Sequence, residues 1–228
     1  MKTDPHSPHP PPRTFAPQAS GRQLLVIPAA LEMDPNPDQI LLRIDPGRAF
    51  GDGAHPTTQL CLAAIERHLS RAIQSQKPTA EREWAMIDLG AGTGILSIAA
   101  AKLGAGPILA VDIDAESVTV ARANAALNQV GDQVRAEVGS LAHVLAGRFG
   151  LTQAPLVVAN ILAHVLVDFF AQGLADTVTP GGLLLLSGVL RTQGSDLRAR
   201  LGWHGLTLVG EEHQGEWLCL IARRLGPG

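Results

Sequence analysis

The sequence has few cysteines, no long apolar run and no block of like charge. No uninterrupted apolar stretch approaches the ~20 residues that a membrane-spanning helix needs, and the first residues lack the apolar core of a secretory signal. The formal net charge is −3, which disfavours direct binding of nucleic acid. Cys61 and Cys219 lie in apolar stretches without a metal-binding spacing, as is typical of buried thiols in a reducing compartment. We therefore expect a cytoplasmic protein without a metal, membrane or nucleic-acid site.

The composition of the 228 residues is that of a folded globular chain, with 46% hydrophobic and 17% charged residues. This length predicts one substantial domain with a tail. Residues 1–20 contain six prolines and little apolar periodicity, which predicts a disordered leader. Residues 21–55 are predicted to form two strands, at 24–28 and 39–45, and a glycine-rich loop. Residues 56–228 are expected to form the main domain, beginning with a helix at Pro56.

From residue 84 onward, short apolar segments alternate with helical patterns. Repeated strand–helix units predict a parallel sheet with helices on both faces, that is, a doubly wound α/β fold of the Rossmann-like type. The last two apolar segments, 206–212 and 217–223, are joined by a short polar turn and predict a hairpin that adds an antiparallel strand. The preceding strands are predicted at residues 84–89, 108–111, 133–138, 156–159 and 183–187.

A glycine run follows the first of these strands, where parallel sheets bind ligands. Residues 90–94 read Gly-Ala-Gly-Thr-Gly, and glycines let a ligand approach the backbone closely. A dinucleotide fingerprint would place its third glycine at position 95, whereas here it is Gly94. The run, preceded by Asp88, resembles the first motif of S-adenosylmethionine-dependent methyltransferases, with a nucleotide site as the alternative. We expect Asp88, Gly90, Gly92 and Gly94 to bind the cofactor.

An acidic residue, Asp112, ends the second strand 22 positions after Gly90. A carboxylate at this position can accept hydrogen bonds from both hydroxyls of a ribose, as either cofactor would require. We count the adjacent Ile113 with it as cofactor-binding. Asp114 stands where a helix begins and is expected to be an N-cap.

An amide side chain, Asn160, follows the fourth strand at the same sheet edge. Methyl transfer from a sulfonium is an in-line displacement, in which the enzyme aligns a nucleophile with a free lone pair. Asn160 can accept an N–H bond of an amine and resembles the Asn of the Asn-Pro-Pro-Tyr motif of amino-methylating enzymes, although Ile and Leu follow it here. We predict a catalytic and cofactor-binding role for Asn160, the alternative being a cap of the next helix.

Taken together, several segments resemble the bacterial methyltransferase family of ribosomal protein L11 over about residues 21–224. They are residues 45–58, 88–94, 112, 159–162, 187–190 and 216–218, of which Phe-Gly-x-Gly-x-His-Pro-Thr-Thr is the most specific. The resemblance implies S-adenosylmethionine as cofactor, held by Thr58, Gly90, Asp112 and Asn160. It also implies methylation of lysine ε-amines and of an α-amine in a protein substrate.

The resemblance leaves the substrate and three residues open. Only the proline-rich leader stands where the family has a small recognition domain, so we expect that domain to be lacking. Ribosomal protein L11 is the expected substrate. The alternatives are another protein, such as the electron-transfer flavoprotein β-subunit, a small-molecule amine, or a cofactor-binding remnant without activity. Phe50 and His55 belong to a loop expected to cover the cofactor, where His55 is a general base or a structural hydrogen-bonding group. Trp217 lines the substrate side by resemblance, or is core.

Overall fold

The computed structural model describes residues 15–75 and 84–226. The strands are β1 Gln18–Ser20, β2 Leu24–Pro28, β3 Ile40–Ile44, β4 Met86–Leu89, β5 Ile108–Asp112, β6 Val134–Val138, β7 Ala154–Asn160, β8 Val178–Leu190, β9 Leu206–Gln214 and β10 Trp217–Arg224. The α-helices are α1 Pro56–Ser75, α2 Ile95–Lys102, α3 Ala115–Leu127, α4 Leu141–Leu145, α5 Ala163–Gln172 and α6 Gly194–Trp203.

The main sheet has seven strands in the order β6-β5-β4-β7-β8-β10-β9. The strands from β6 to β8 are parallel, and β10 is antiparallel to both of its neighbours. The sheet separates two hydrophobic clusters, so its central strands are buried on both faces and are almost wholly apolar. The predicted doubly wound α/β fold with a C-terminal hairpin is therefore confirmed. Chain order reverses between β4 and β7, which places a ligand crevice at their carboxyl ends.

The N-terminal strands form a separate three-stranded sheet. β2 pairs in parallel with β3, at the two places where strands were predicted. β1 pairs antiparallel with β2, so the prediction that disorder extends to residue 20 is wrong for residues 18–20. The physical reason is that Pro17 is the last of the leader's prolines, and the three residues after it have free N–H groups for a ladder. The part of the predicted leader before residue 15 lies outside the described residues.

A buried carboxylate fixes the turn between β1 and β2 to helix α1. Glu66 is 5% exposed, and its two oxygens accept hydrogen bonds from the backbone N–H groups of Arg22 at 2.6 Å and Gln23 at 2.7 Å. Gly21 has a φ of +70°, and a Cβ there would collide with the Glu66 carboxylate. The turn therefore lies directly on the helix.

Two asparagines of α3 fix β3 in the same way. Asn128 accepts from the N–H of Arg43 at 3.0 Å and donates to its carbonyl at 2.6 Å, as a neighbouring strand would. Asn124 makes the corresponding pair of bonds to Asp45, both of 2.9 Å. Apolar side chains of β2 and β3 belong to the same hydrophobic cluster as those of α1, α2 and α3. The N-terminal strands and the main sheet thus share one core.

The structure also shows how the two cysteines are buried and how long and polar the helices are. Cys61 and Cys219 are free thiols and both are buried, as expected. A hydrogen bond between them and the burial raise the pKa of the Cys219 thiol. Within residues 15–75 and 84–226, every helix is too short or too polar to cross a bilayer.

We predict that Glu66→Gln destabilises the protein by about 1–3 kcal/mol. The NH2 group of Gln is a donor, so one of the two backbone N–H groups loses its acceptor. Urea unfolding followed by circular dichroism measures this change. Glu32→Gln, at an exposed position, is the control and should stay within about 0.5 kcal/mol of the parent protein. Equal stability of the two variants would contradict the structural role of Glu66.

Candidate active site

A cleft of about 660 Å³ lies at the carboxyl ends of β4, β5, β6 and β7, within the size range of small-molecule sites. Its walls are mainly apolar. Eight residues singled out in the sequence line it: Phe50, His55, Gly90, Gly92, Asp112, Ile113, Asn160 and Trp217.

The glycine loop forms one wall of the cleft and depends on two residues without side chains. Gly90 and Gly92 have φ values of +78° and +55°, which other residues rarely adopt. A Cβ on Gly90 would collide with the side chain of Ile161, and one on Gly92 with the carbonyl oxygen of Phe50. The loop therefore presents bare backbone to the cleft at Gly90 and Gly92, where Ile161 and Phe50 lie closest to it.

Asp112, at the end of β5, is held against this loop. One of its oxygens accepts the N–H of Gly92 at 2.9 Å, and the other accepts the N–H of Asp114 at 3.0 Å. A carboxylate offers about four acceptor positions, so both oxygens keep capacity for further donors. Asp114 itself accepts from the N–H groups of Glu116 and Ser117, which confirms it as the N-cap of α3.

Asn160, at the end of β7, presents an unused acceptor. Its Oδ1 atom is buried and has no hydrogen-bond partner among the described residues. The N-cap position of α5 is Leu162, without a side-chain cap, so the alternative interpretation of Asn160 as a helix cap is wrong. The chain turns between β7 and α5, which leaves the amide in the cleft wall. A buried polar atom without a partner is costly unless a ligand satisfies it.

Three rings cover the cleft from the loop before α1 and from β10. His55 makes edge-on contacts with Phe50, at a centroid distance of 5.4 Å, and with Trp217, at 4.8 Å. Its Nδ1 atom accepts the N–H of Thr57 at 3.3 Å and lies 2.8 Å from the Thr57 hydroxyl. The Thr57 N–H thus occupies Nδ1 as an acceptor. This geometry supports a structural hydrogen bond for His55 rather than a general base.

Three residues expected to bind the cofactor do not line the cleft. The side chain of Thr58 is buried at the start of α1, and Thr57 lines the cleft instead. Asp88 is fully buried and accepts the hydroxyl of Ser97 at 2.7 Å. A Cβ on Gly94 would lie 3.1 Å from Ala121 of α3, so this glycine lets α2 and α3 pack closely.

Other lining residues were not assigned to the site from the sequence. Gly139, Ser140 and Leu141 follow β6, and their signal is position, since they stand directly after a predicted strand at the same sheet edge. Gly188 lies within β8 with a φ of +80°, and a Cβ there would collide with the backbone of Ile161. A glycine inside an apolar strand is a sign of such a close approach.

Burial changes the ionisation of Asp88. Its pKa is raised from 3.8 to about 6, mainly by loss of hydration and further by the negative charge of Asp112, against the lowering effect of the Ser97 hydrogen bond. The side chain lies beneath the glycine loop and outside the cleft wall.

The architecture and cleft define a class of protein. The methyltransferase domain of METTL16 superposes with a TM-score of 0.63 at 14% identity, covering 82% of this chain and 89% of that one. The fold is therefore that of Rossmann-like methyltransferase domains. The family model described as ribosomal protein L11 methyltransferase matches residues 12–225. The chain belongs to the ribosomal protein L11 methyltransferase family.

Individual relatives agree with this assignment. A protein of Pelobacter propionicus named ribosomal protein L11 methyltransferase is 41% identical over 210 residues, which are 92% of this chain and 64% of that protein. A relative of the same name from Geotalea daltonii is 42% identical over 207 residues, 90% of this chain and 63% of its own length. The crystal structure of ribosomal protein L11 methylase from Lactobacillus delbrueckii subsp. bulgaricus has a TM-score of 0.78 at 34% identity and covers 92% of this chain and 100% of its own. The chain thus spans under two thirds of the length of the Pelobacter propionicus and Geotalea daltonii proteins.

We predict that Asp88 makes stability depend on pH. Because folding raises its pKa, the neutral carboxyl stabilises the fold fully below about pH 3.8, and this contribution is lost as pH rises through about 6. Relative to Asp88→Asn, which does not titrate, the parent protein should lose about 2 kcal/mol of unfolding free energy between pH 4.5 and pH 7.5. Urea unfolding at both pH values tests this. The exposed Asp38→Asn variant should differ from the parent by less than about 0.5 kcal/mol at each pH, and a constant Asp88→Asn difference would contradict the prediction.

Proposed function

We propose that this chain is an S-adenosylmethionine-dependent protein N-methyltransferase that methylates lysine ε-amines of ribosomal protein L11. The observation that carries the proposal is the buried, unpartnered Oδ1 of Asn160 in the same cleft as the glycine loop and Asp112. Methyltransferase family membership supports it. Residues 21–55 would supply the N-terminal strands and the covering loop, residues 45–55, and residues 56–228 the catalytic domain.

The cleft fits the cofactor by its shape and donor set. The close-approaching backbone of Gly90 and Gly92 suits the amino acid moiety, and the remaining acceptor positions of Asp112 suit the ribose hydroxyls. The exposed Ile113 offers an apolar surface to a base beside that ribose. S-adenosylmethionine supplies an electrophilic methyl group on a sulfonium. The position of Gly94, two residues after Gly92, argues against the dinucleotide alternative.

Asn160 would orient the incoming amine. Its carbonyl oxygen accepts one N–H bond, which turns the nitrogen lone pair toward the transferable methyl group. The rings of Phe50, His55 and Trp217 exclude water from the same space. Orientation and exclusion of water are the main tasks for a displacement that needs no strong acid.

The cleft wall offers no free base. Within the described part of the chain, its titratable side chains are Asp112 and His55. Asp112 is engaged with the glycine loop, and Nδ1 of His55 is engaged with Thr57. The lysine would therefore reach the cleft as the neutral amine, after losing its proton to solvent.

We predict that kcat/KM rises about tenfold per pH unit between pH 7 and pH 9, because the neutral fraction of a lysine with a pKa near 10.4 rises by that factor. Initial rates of methyl transfer to a lysine substrate measure the profile. His55→Gln should keep the slope even if it lowers the rate. A plateau above neutral pH in the parent protein that His55→Gln abolishes would instead identify His55 as a base.

The central test separates transfer from cofactor binding. With recombinant ribosomal protein L11 and labelled S-adenosylmethionine, the parent protein should label lysine peptides found by mass spectrometry. Asn160→Ala should lower kcat roughly 100-fold or more while S-adenosylhomocysteine still binds. Asp112→Asn should weaken S-adenosylhomocysteine binding roughly tenfold by calorimetry.

Asn36→Ala, an exposed change outside the cleft, is the matched control and should alter neither quantity. Unchanged turnover in Asn160→Ala would refute the role of Asn160. Labelling of other proteins or of small amines, without labelling of ribosomal protein L11, would refute the substrate and leave the chemistry standing.

A further inference from the structure

Thr93 joins the glycine loop to the covering loop, although it is not part of the cleft wall. Its side chain is fully buried. Its backbone N–H donates to the carbonyl of Phe50 at 2.9 Å, and its hydroxyl donates to the carbonyl of Gly51 at 2.6 Å. These two consecutive carbonyls of the covering loop therefore depend on one residue.

The contact that Thr93 holds is backbone against backbone. Gly51 has a φ of +108°, and a Cβ there would lie 2.8 Å from the Thr93 hydroxyl. On the other side, a Cβ on Gly92 would collide with the carbonyl oxygen of Phe50. The two loops thus meet at one glycine of each, Gly51 and Gly92, and the two hydrogen bonds of Thr93 span the contact.

Helix α3 completes the arrangement through Asn124. Its Nδ2 donates to the carbonyl of Thr93 at 3.0 Å and to the carbonyl of Asp45 at 2.9 Å. Asp45 stands at the beginning of the covering loop, directly after β3. Asn124 is 1% exposed, so these bonds are not shared with solvent. Asn124 thus fixes both Asp45, at the start of the loop, and Thr93, which holds the middle of the loop, to helix α3.

We infer that Thr93 is a positioning residue, which sets Phe50 and His55 over the cleft by holding the backbone of Phe50 and Gly51. The inference rests on the proposed function, because it concerns the same cofactor cleft. Phe50 is 58% exposed and contacts His55 edge-on, so burial of its side chain does not by itself fix it there. Loss of the Thr93 hydroxyl leaves the buried carbonyl of Gly51 without its donor, which favours a displaced loop.

The test compares Thr93→Val, which removes the hydroxyl at nearly constant shape, with Thr93→Ser, which keeps it. Thr177→Val is the matched control, since Thr177 is equally buried and its hydroxyl donates to the carbonyl of Leu174 at 2.7 Å away from the cleft. Two quantities are measured, namely S-adenosylhomocysteine affinity by calorimetry and amide hydrogen exchange of residues 50–55 without ligand.

Thr93→Val should weaken the affinity roughly tenfold and speed exchange in residues 50–55, because a buried acceptor loses its partner. Thr93→Ser should stay within about twofold, and Thr177→Val should change neither quantity. If Thr93→Val does not fold, Thr93→Ala is used for the same comparison. Parent-like affinity and parent-like exchange in residues 50–55 would overturn the inference, as would equal effects of Thr177→Val.

The two hypotheses fail in distinguishable ways. If the parent protein does not bind S-adenosylhomocysteine, the proposed function fails, and hydrogen exchange still decides whether Thr93 holds the loop. If the parent protein binds and Thr93→Val speeds exchange equally in residues 50–55 and in the core strand β8, the effect is general destabilisation and the positioning role is refuted.

Discussion

The contact between the glycine loop and the covering loop constrains the rest of the site. Gly92 has no room for a side chain because the carbonyl of Phe50 occupies that space, and Thr93 binds the two carbonyls that follow one another in the covering loop. The same glycine loop holds Asp112 through the N–H of Gly92. Asp112, the Phe50 and Gly51 carbonyls and the glycine loop are therefore joined by one set of hydrogen bonds, and we expect a shift in one to displace the others.

The N-terminal sheet makes that unit possible by fixing where the covering loop begins. Glu66 fastens its first turn to α1, and Asn124 and Asn128 fasten its last strand to α3. Each of these side chains makes hydrogen bonds to backbone groups, as a neighbouring strand or a cap would. Without them, these groups would be buried without a partner. The covering loop therefore begins at Asp45, a point that Asn124 of α3 holds in place.

The sequence predicted elements well where burial alone decides them. The strands of the main sheet are short apolar runs, and the side chains at their carboxyl ends, Asp112 and Asn160, were found because parallel strands end at one edge. The sequence alone does not show whether Thr57 or Thr58 lines the cleft. The two residues are adjacent at the start of a helix, and packing decides which of them faces the cleft. Asp88 was expected to face the cofactor, whereas the structure turns it toward Ser97, a partner nine residues away on α2. β1 has three residues, which are too few for an alternation of apolar and polar side chains to be recognised in the sequence.

Under the proposed function, an amide at position 160 suits the protonation state that the reaction would need. A carboxylate there would stabilise the ammonium form of lysine and raise the pKa of the amine, so that less of the nucleophile would be neutral. A hydroxyl would act as donor as well as acceptor and compete for the lone pair. The amide oxygen accepts an N–H bond without adding charge, at any pH at which the protein is folded. In the proposed reaction, an incoming amine would satisfy this buried oxygen, which has no hydrogen-bond partner among the described residues.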